Sequence, residues 1–267
     1  MTLSYVTVYP ASFDLPDEQW QSVNLLVKYM QDGLADMAIA LKCYQQARES
    51  IAHDRDRDVA RSKEEALAQG QRQSDFEREV AAKHGILRRD EMDALERDER
   101  RKAAVALDIA VVQERAALGH VPIEFIHRAP HAHALSFLGA ADRFRKCLKA
   151  LAALRAEIKP VYDAFATEFR GLKGVRDSAQ HIDDRAQWLG RDNRGRKKPL
   201  DIGALSLENL DGDELISTDE RGKLASFSVS SDVIRRFGEI LQAAIDALPA
   251  RGGRRTVRPM FGPFPWR

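Results

Sequence analysis

Aromatic residues are scarce in this chain, 7% of 267 positions, and there are only two cysteines, Cys43 and Cys147. Two thiols cannot staple a secreted disulfide scaffold. Both lie in apolar helical patterns, which fits a reduced, cytoplasmic setting. No apolar run approaches the roughly 18 residues of a membrane span. The first residues lack the basic start and apolar block of a secretion signal, so no membrane association is expected. Net charge is close to absent as well, at +1. A uniformly basic nucleic-acid binder is thereby excluded, and any polyanion-binding patch has to be local. What the chain has in quantity is charge of both signs, 31% of residues, the composition of long solvated helices.

Hydrophobic periodicity supplies the architecture. Trp20, Val23, Val27, Met30, Leu34, Met37, Leu41 and Tyr44 recur in steps of three and four, a seam suited to packing on another helix in a bundle core or a dimer. Gly33 within it suggests a close helix approach. From His53 to Lys102 apolar positions thin out and opposite charges alternate, which reads as a charged helical arm inserted at 53–102, with breaks at Gly70 and Gly85. Phe76, Val80, Ile86, Leu87, Met92 and Leu95 offer it a partial apolar face without deep burial. Val105, Ile109, Val112 and Ala116 restore helical spacing, read as the return to the core, and Gly119 and Pro122 end that helix. A loop at 120–133 carries His120, His127, His131 and His133. A further core helix covers 134–158, and Pro160 begins the stretch 160–190, which fits one amphipathic helix or two in line, with Gly171 and Gly174 suggesting a break.

Period-two alternation appears only at 203–230, where Asp211-Gly212 and Arg221-Gly222 separate short runs into an antiparallel β-meander. The opening LSYVTVYP could add a strand. A last helix, capped by Ser231 or Asp232, turns Val233, Ile234, Phe237, Ile240, Leu241, Ala244, Ile245 and Leu248 inward, and 250–267 is a basic, aromatic tail. The expected fold is mainly α: one helical-bundle domain over 1–267 with a charged helical arm and a small antiparallel β-meander.

The stretch 160–190 also holds the candidate chemistry, Arg176-Asp177-Ser178-Ala179-Gln180-His181. Arginine followed by histidine after four residues also occurs at Arg48/His53, Arg115/His120 and Arg128/His133. Arg176 is distinguished by the polar Asp177 after it, by its place late in a core helix, and by a basic loop behind it. That loop carries Arg191, Arg194, Arg196, Lys197 and Lys198, and Arg185 lies between. At 100° per residue Arg176 and His181 stand about 140° apart. Both fall on the polar side, where substitution typically costs no more than ~0.5 kcal/mol.

This run on a bundle helix resembles the HEPN superfamily, helical bundles whose nuclease members carry an Arg-x4-6-His motif. The resemblance implies a metal-independent endoribonuclease of toxin or defence type, needing no cofactor, in which two subunits join their motifs at a homodimer interface. RNA would be its substrate, and a protein partner would neutralise it. His181 would then serve as general base or acid, Arg176 would hold the phosphate, and Asp177 would orient the imidazole. Arg185, Arg191, Arg194, Arg196, Lys197 and Lys198 would bind the strand. Taking Asp177, His181 and Asp184 as metal ligands would require further ligands from elsewhere. A different class fits the same sequence: a non-catalytic helical protein that binds a partner through its arm or apolar seams. An Arg176 tied into an internal salt bridge favours that class, and a basic face around 176–181 favours the nuclease.

Overall fold

The computed structural model describes residues 13–60, 63–121, 123–181, 183, 187, 189–191, 196–200 and 209–249. The described helices are α1 (Asp17–Ala60), α2 (Lys63–His84), α3 (Arg97–Ala117), α4 (Ile123–Leu154), α5 (Lys159–Glu168), α6 (Arg170–Gln180) and α7 (Ser231–Ala247). The strands are β1 (Leu189–Arg191), β2 (Lys197–Pro199), β3 (Asn209–Asp211), β4 (Glu214–Thr218) and β5 (Leu224–Ser228). The protein is mainly helical with a small antiparallel meander. It forms two compact units. One takes the described residues up to Gln45 and from His131 onward; the other is Gln46–Pro130.

The first unit is built on the α1 seam. Val23, Val27, Met30, Leu34, Met37, Leu41 and Tyr44 are all buried, so the seam is intramolecular core; Trp20, at its edge, is exposed. At Gly33 a Cβ would stand 3.5 Å from the Ala140 carbonyl oxygen and 3.6 Å from Phe144 Cβ. The approach to α4 is thus close, yet an alanine would fit it. Four phenylalanines meet in the centre. The Phe237 ring lies 4.8 Å from those of Phe144 and Phe169 and 5.1 Å from that of Phe165, which joins α4, α5 and α7.

The meander runs β3-β4-β5, with Leu210 opposite Leu215 and Leu215 opposite Phe227. Its turns carry Gly212 and Gly222 at φ +57° and +79°, a region open to glycine at no steric cost. The buried Tyr44 hydroxyl donates to the Gly212 carbonyl at 2.6 Å and pins the first turn to α1. The α7 side chains expected inward are buried. Its cap is Ser230, one residue before the expected position, whose Oγ accepts from the Val233 N–H at 3.4 Å. The strand expected near residues 3–10, the stretch 201–208 and the tail 250–267 lie outside the described residues.

The stretch expected to be helical over 160–190 is helical as far as Gln180, in two pieces, α5 and α6, parted at Phe169 (φ −105°, ψ 38°), and Leu189 and Gly190 already belong to β1. Gly171 and Gly174, which in the sequence suggested a break, have a different use. A Cβ at 171 would sit 2.1 Å from the Ser226 carbonyl oxygen, and one at 174 would sit 2.9 Å from Ala225 Cβ. Helix α6 lies on the β5 backbone where no side chain intervenes. Gly171→Ala is therefore expected to destabilise, by roughly 1–3 kcal/mol as overpacking does, although alanine improves helix propensity by about 1 kcal/mol. Urea denaturation measures this; a variant as stable as the wild type would contradict the backbone contact.

The second unit has its own small core. Val80, Ala81, Met92, Leu107, Ala110 and Val111 are buried, with Phe76, Ile86, Leu95, Ala103 and Ala104 around them. The charged stretch thus buries more than a partial face, although Leu87 stays exposed. Helix α2 runs through Gly70 and ends at Gly85 (φ +63°); Gly119 (φ +82°) follows α3. The residues read as the return to the core are corrected here. Val105, Ile109 and Val112 are 50%, 53% and 49% exposed, and Ala116 is exposed too. Helix α3 is apolar on two sides, and the alanine-rich side that permits close approach is the one packed on α2. The 120–133 region is corrected as well. Helix α4 begins at Ile123 and contains Pro130, so His127, His131 and His133 stand on a helix.

Candidate site: a buried ion network on α6

One face of α6 lies on the meander, and the geometry of the Arg176–His181 run follows from that. Asp177 and Ser178 are buried, at 9% and 1% exposure, and Ser178 Oγ has no hydrogen-bond partner among the described residues. Arg176 is not on an open polar side. Its side chain is 15% exposed, with Nη1 2.8 Å from Asp177 Oδ1 and Nε 3.3 Å from Asp142 Oδ1. Nη1 also donates to Gln180 Oε1 at 2.7 Å. The expectation of a mild substitution at this position is therefore corrected.

Asp142, on α4, was not singled out from the sequence. It is only 4% exposed. Its Oδ1 accepts from Arg145 Nε and Nη2 at 2.9 and 2.7 Å, and Lys146 Nζ lies 2.9 Å from Oδ2. Burial by itself would push its carboxyl up. Hydrogen bonds from Lys146 and Arg145, with the charges of Arg145 and Arg176, outweigh burial and hold it below the ordinary aspartate range. The available sequence signal was an acid set in the α4 apolar stripe between Ala141 and Phe144, with cations three and four residues on.

Asp177 does not orient the His181 ring. Its carboxylate is taken by Arg176 and by Lys173, whose Nζ lies 2.6 Å from Oδ2. That bond also raises the Lys173 ammonium pKa. His181 ends α6, half-buried, with its backbone N–H donating to the carbonyls of Asp177 and Ser178 at 3.1 and 3.3 Å. Among the described residues no hydrogen bond joins its ring to Arg176 or Asp177.

The expected strand-binding loop is partly a hairpin. Arg191 lies on β1 and Lys197 and Lys198 on β2, paired as Arg191↔Lys197 and Gly190↔Lys198, with Arg196 just before. Arg196, Lys197 and Lys198 are exposed. A Cβ on Gly190 would stand 2.6 Å from the Glu220 carbonyl oxygen, and Glu220 Oε1 is 3.5 Å from Lys173. The hairpin thus borders the meander turn that meets α6. Arg185, Arg194 and Asp184 lie outside the described residues. No group of three His, Cys, Asp or Glu among the described residues is placed to hold a metal ion, and none of the described helices is long and apolar enough to cross a membrane. No family model matches this sequence, and comparison with curated proteins and with solved structures gives no match.

Proposed function

We propose that this chain is a non-catalytic helical interaction protein, in which the Arg176 network is a structural joint between α4 and α6. The observation that carries this reading is the pairing of Arg176 with two buried carboxylates, Asp142 and Asp177. A guanidinium that holds a scissile phosphate has to offer its donors to the substrate. Here Nη1 is engaged by Asp177 and Gln180, and Nε faces Asp142 without a hydrogen-bond partner among the described residues. The guanidinium thus serves as counter-charge to two buried acids that lose it if the arginine leaves.

One observation favours the second reading, a metal-independent endoribonuclease acting as a homodimer. Four cations, Arg145, Lys146, Lys173 and Arg176, surround the two carboxylates, and the basic hairpin borders the same region. A single experiment separates the two. Purified protein is incubated with single-stranded RNA in excess EDTA, beside His181→Ala, Arg176→Ala and the control His53→Ala. The interaction reading expects no cleavage by any of them. It also expects Arg176→Ala to lose roughly 1–3 kcal/mol of stability, as when a buried acceptor is left short of its donor. Cleavage that disappears in a folded His181→Ala variant and persists in His53→Ala would overturn it, since a general base contributes ~10²–10⁴-fold.

A further inference from the structure

Helix α3 presents two apolar faces, of which its own unit covers one. Taking Val105 as zero and 100° per residue, Val105, Ile109, Val112 and Ala116 fall within about 60° of one another. Leu107, Ala110 and Val111 centre on the opposite side, where they are buried against α2. The steps of four, three and four between the exposed residues are those of alternating d and a positions in a two-helix seam. The charged edge of this stripe is asymmetric in a useful way. Asp108 and Arg115, one heptad apart, both lie along the same side of it at g-type positions. Asp108 is 56% exposed while it pairs with Arg89 at 2.5 Å, and Arg115 lies over the Phe76 ring at 5.6 Å.

We infer that this stripe pairs with the same stripe of a second copy of the chain, antiparallel. The charges select that occupant and that direction. An antiparallel seam brings g positions against g positions. With Ile109 stacked on the partner's Val112, Asp108 of each copy meets Arg115 of the other, twice by symmetry. The core layers then alternate Val105 with Ala116 and Ile109 with Val112, large against small at the ends. A parallel seam would set Asp108 against Gln113 and gain no such pair. The inference rests on the interaction reading and supplies its partner. The nuclease assay decides that reading independently of oligomeric state. Four side chains make a small interface, so the association is weak and concentration-dependent.

The test uses the full chain in a Cys43→Ser background, with sedimentation velocity run from micromolar to several hundred micromolar. A monomer–dimer equilibrium is expected, weakened at least tenfold by Ile109→Lys. That variant should remain folded by circular dichroism, since the side chain is exposed. Asp108→Arg and Arg115→Asp should each weaken the dimer, and the double swap should restore it even though the Arg89 pair and the Phe76 contact are not rebuilt. Val105→Cys and Ala116→Cys chains should form an intermolecular disulfide when mixed, and neither should do so alone. A monomer throughout the concentration range, a dimer indifferent to Ile109→Lys, or cross-linking of either chain with itself through its introduced cysteine would overturn the antiparallel pairing.

Discussion

Replacing Asp142 with alanine is expected to destabilise the first unit by roughly 3 kcal/mol, the scale seen when one member of a buried ion pair is removed. Arg145 and Arg176 are 14% and 15% exposed and would keep their charges in place with the counter-charge gone, whereas Lys146, at 56%, can turn into solvent. For a unit of this size the loss corresponds to a fall of about 6–12 °C in melting temperature. A change below about 0.5 kcal/mol would place the network with ordinary surface pairs. Acid provides an independent test. The Asp142 carboxyl titrates below the ordinary aspartate range in the folded protein. Its contribution is therefore fully present above the unfolded value, near 3.9, and is lost as pH falls through the lower folded value. Asp142→Asn should lack that part of the acid dependence, read by urea titrations at successive pH values.

The other large effect is expected at Phe237. Its side chain is fully buried and its ring meets those of Phe144, Phe165 and Phe169. Truncation to alanine leaves a cavity walled by three rings on α4, α5 and the α5–α6 junction, none of which can collapse into it alone. A cost of about 3–5 kcal/mol follows, measured by chemical denaturation. Phe237→Leu, which refills part of the volume, should lose markedly less. Equal losses for both variants would mean that ring contact rather than volume dominates here.

Much of the first unit was legible in the sequence because one residue pattern there admits one burial. The α7 stripe from Val233 to Leu248 has a single apolar face, and only glycine enters the left-handed turns at 212 and 222 without strain. Helix α3 shows where such reading stops. Periodicity marks an apolar face but not which of two such faces is covered, and that choice was settled by the alanines facing α2. The site was less legible still. Arg176 looked like a free cation because its partner Asp142 is far away in sequence and on another helix. The residues 171 and 174 looked like helix breakers because nothing local announced that a strand backbone would lie against them.

The first unit is interrupted in sequence by the whole of Gln46–Pro130, and this shapes how the chain can vary. Bringing Gln45 and His131 into one core closes a loop, and the entropy of closure grows only logarithmically with loop length. Halving or doubling the intervening segment would change it by about 0.6 kcal/mol. Lengthening or trimming the inserted segment is thus nearly free for the core it interrupts. The constraint falls on its two exits, where α1 and α4 have to leave and re-enter as helices.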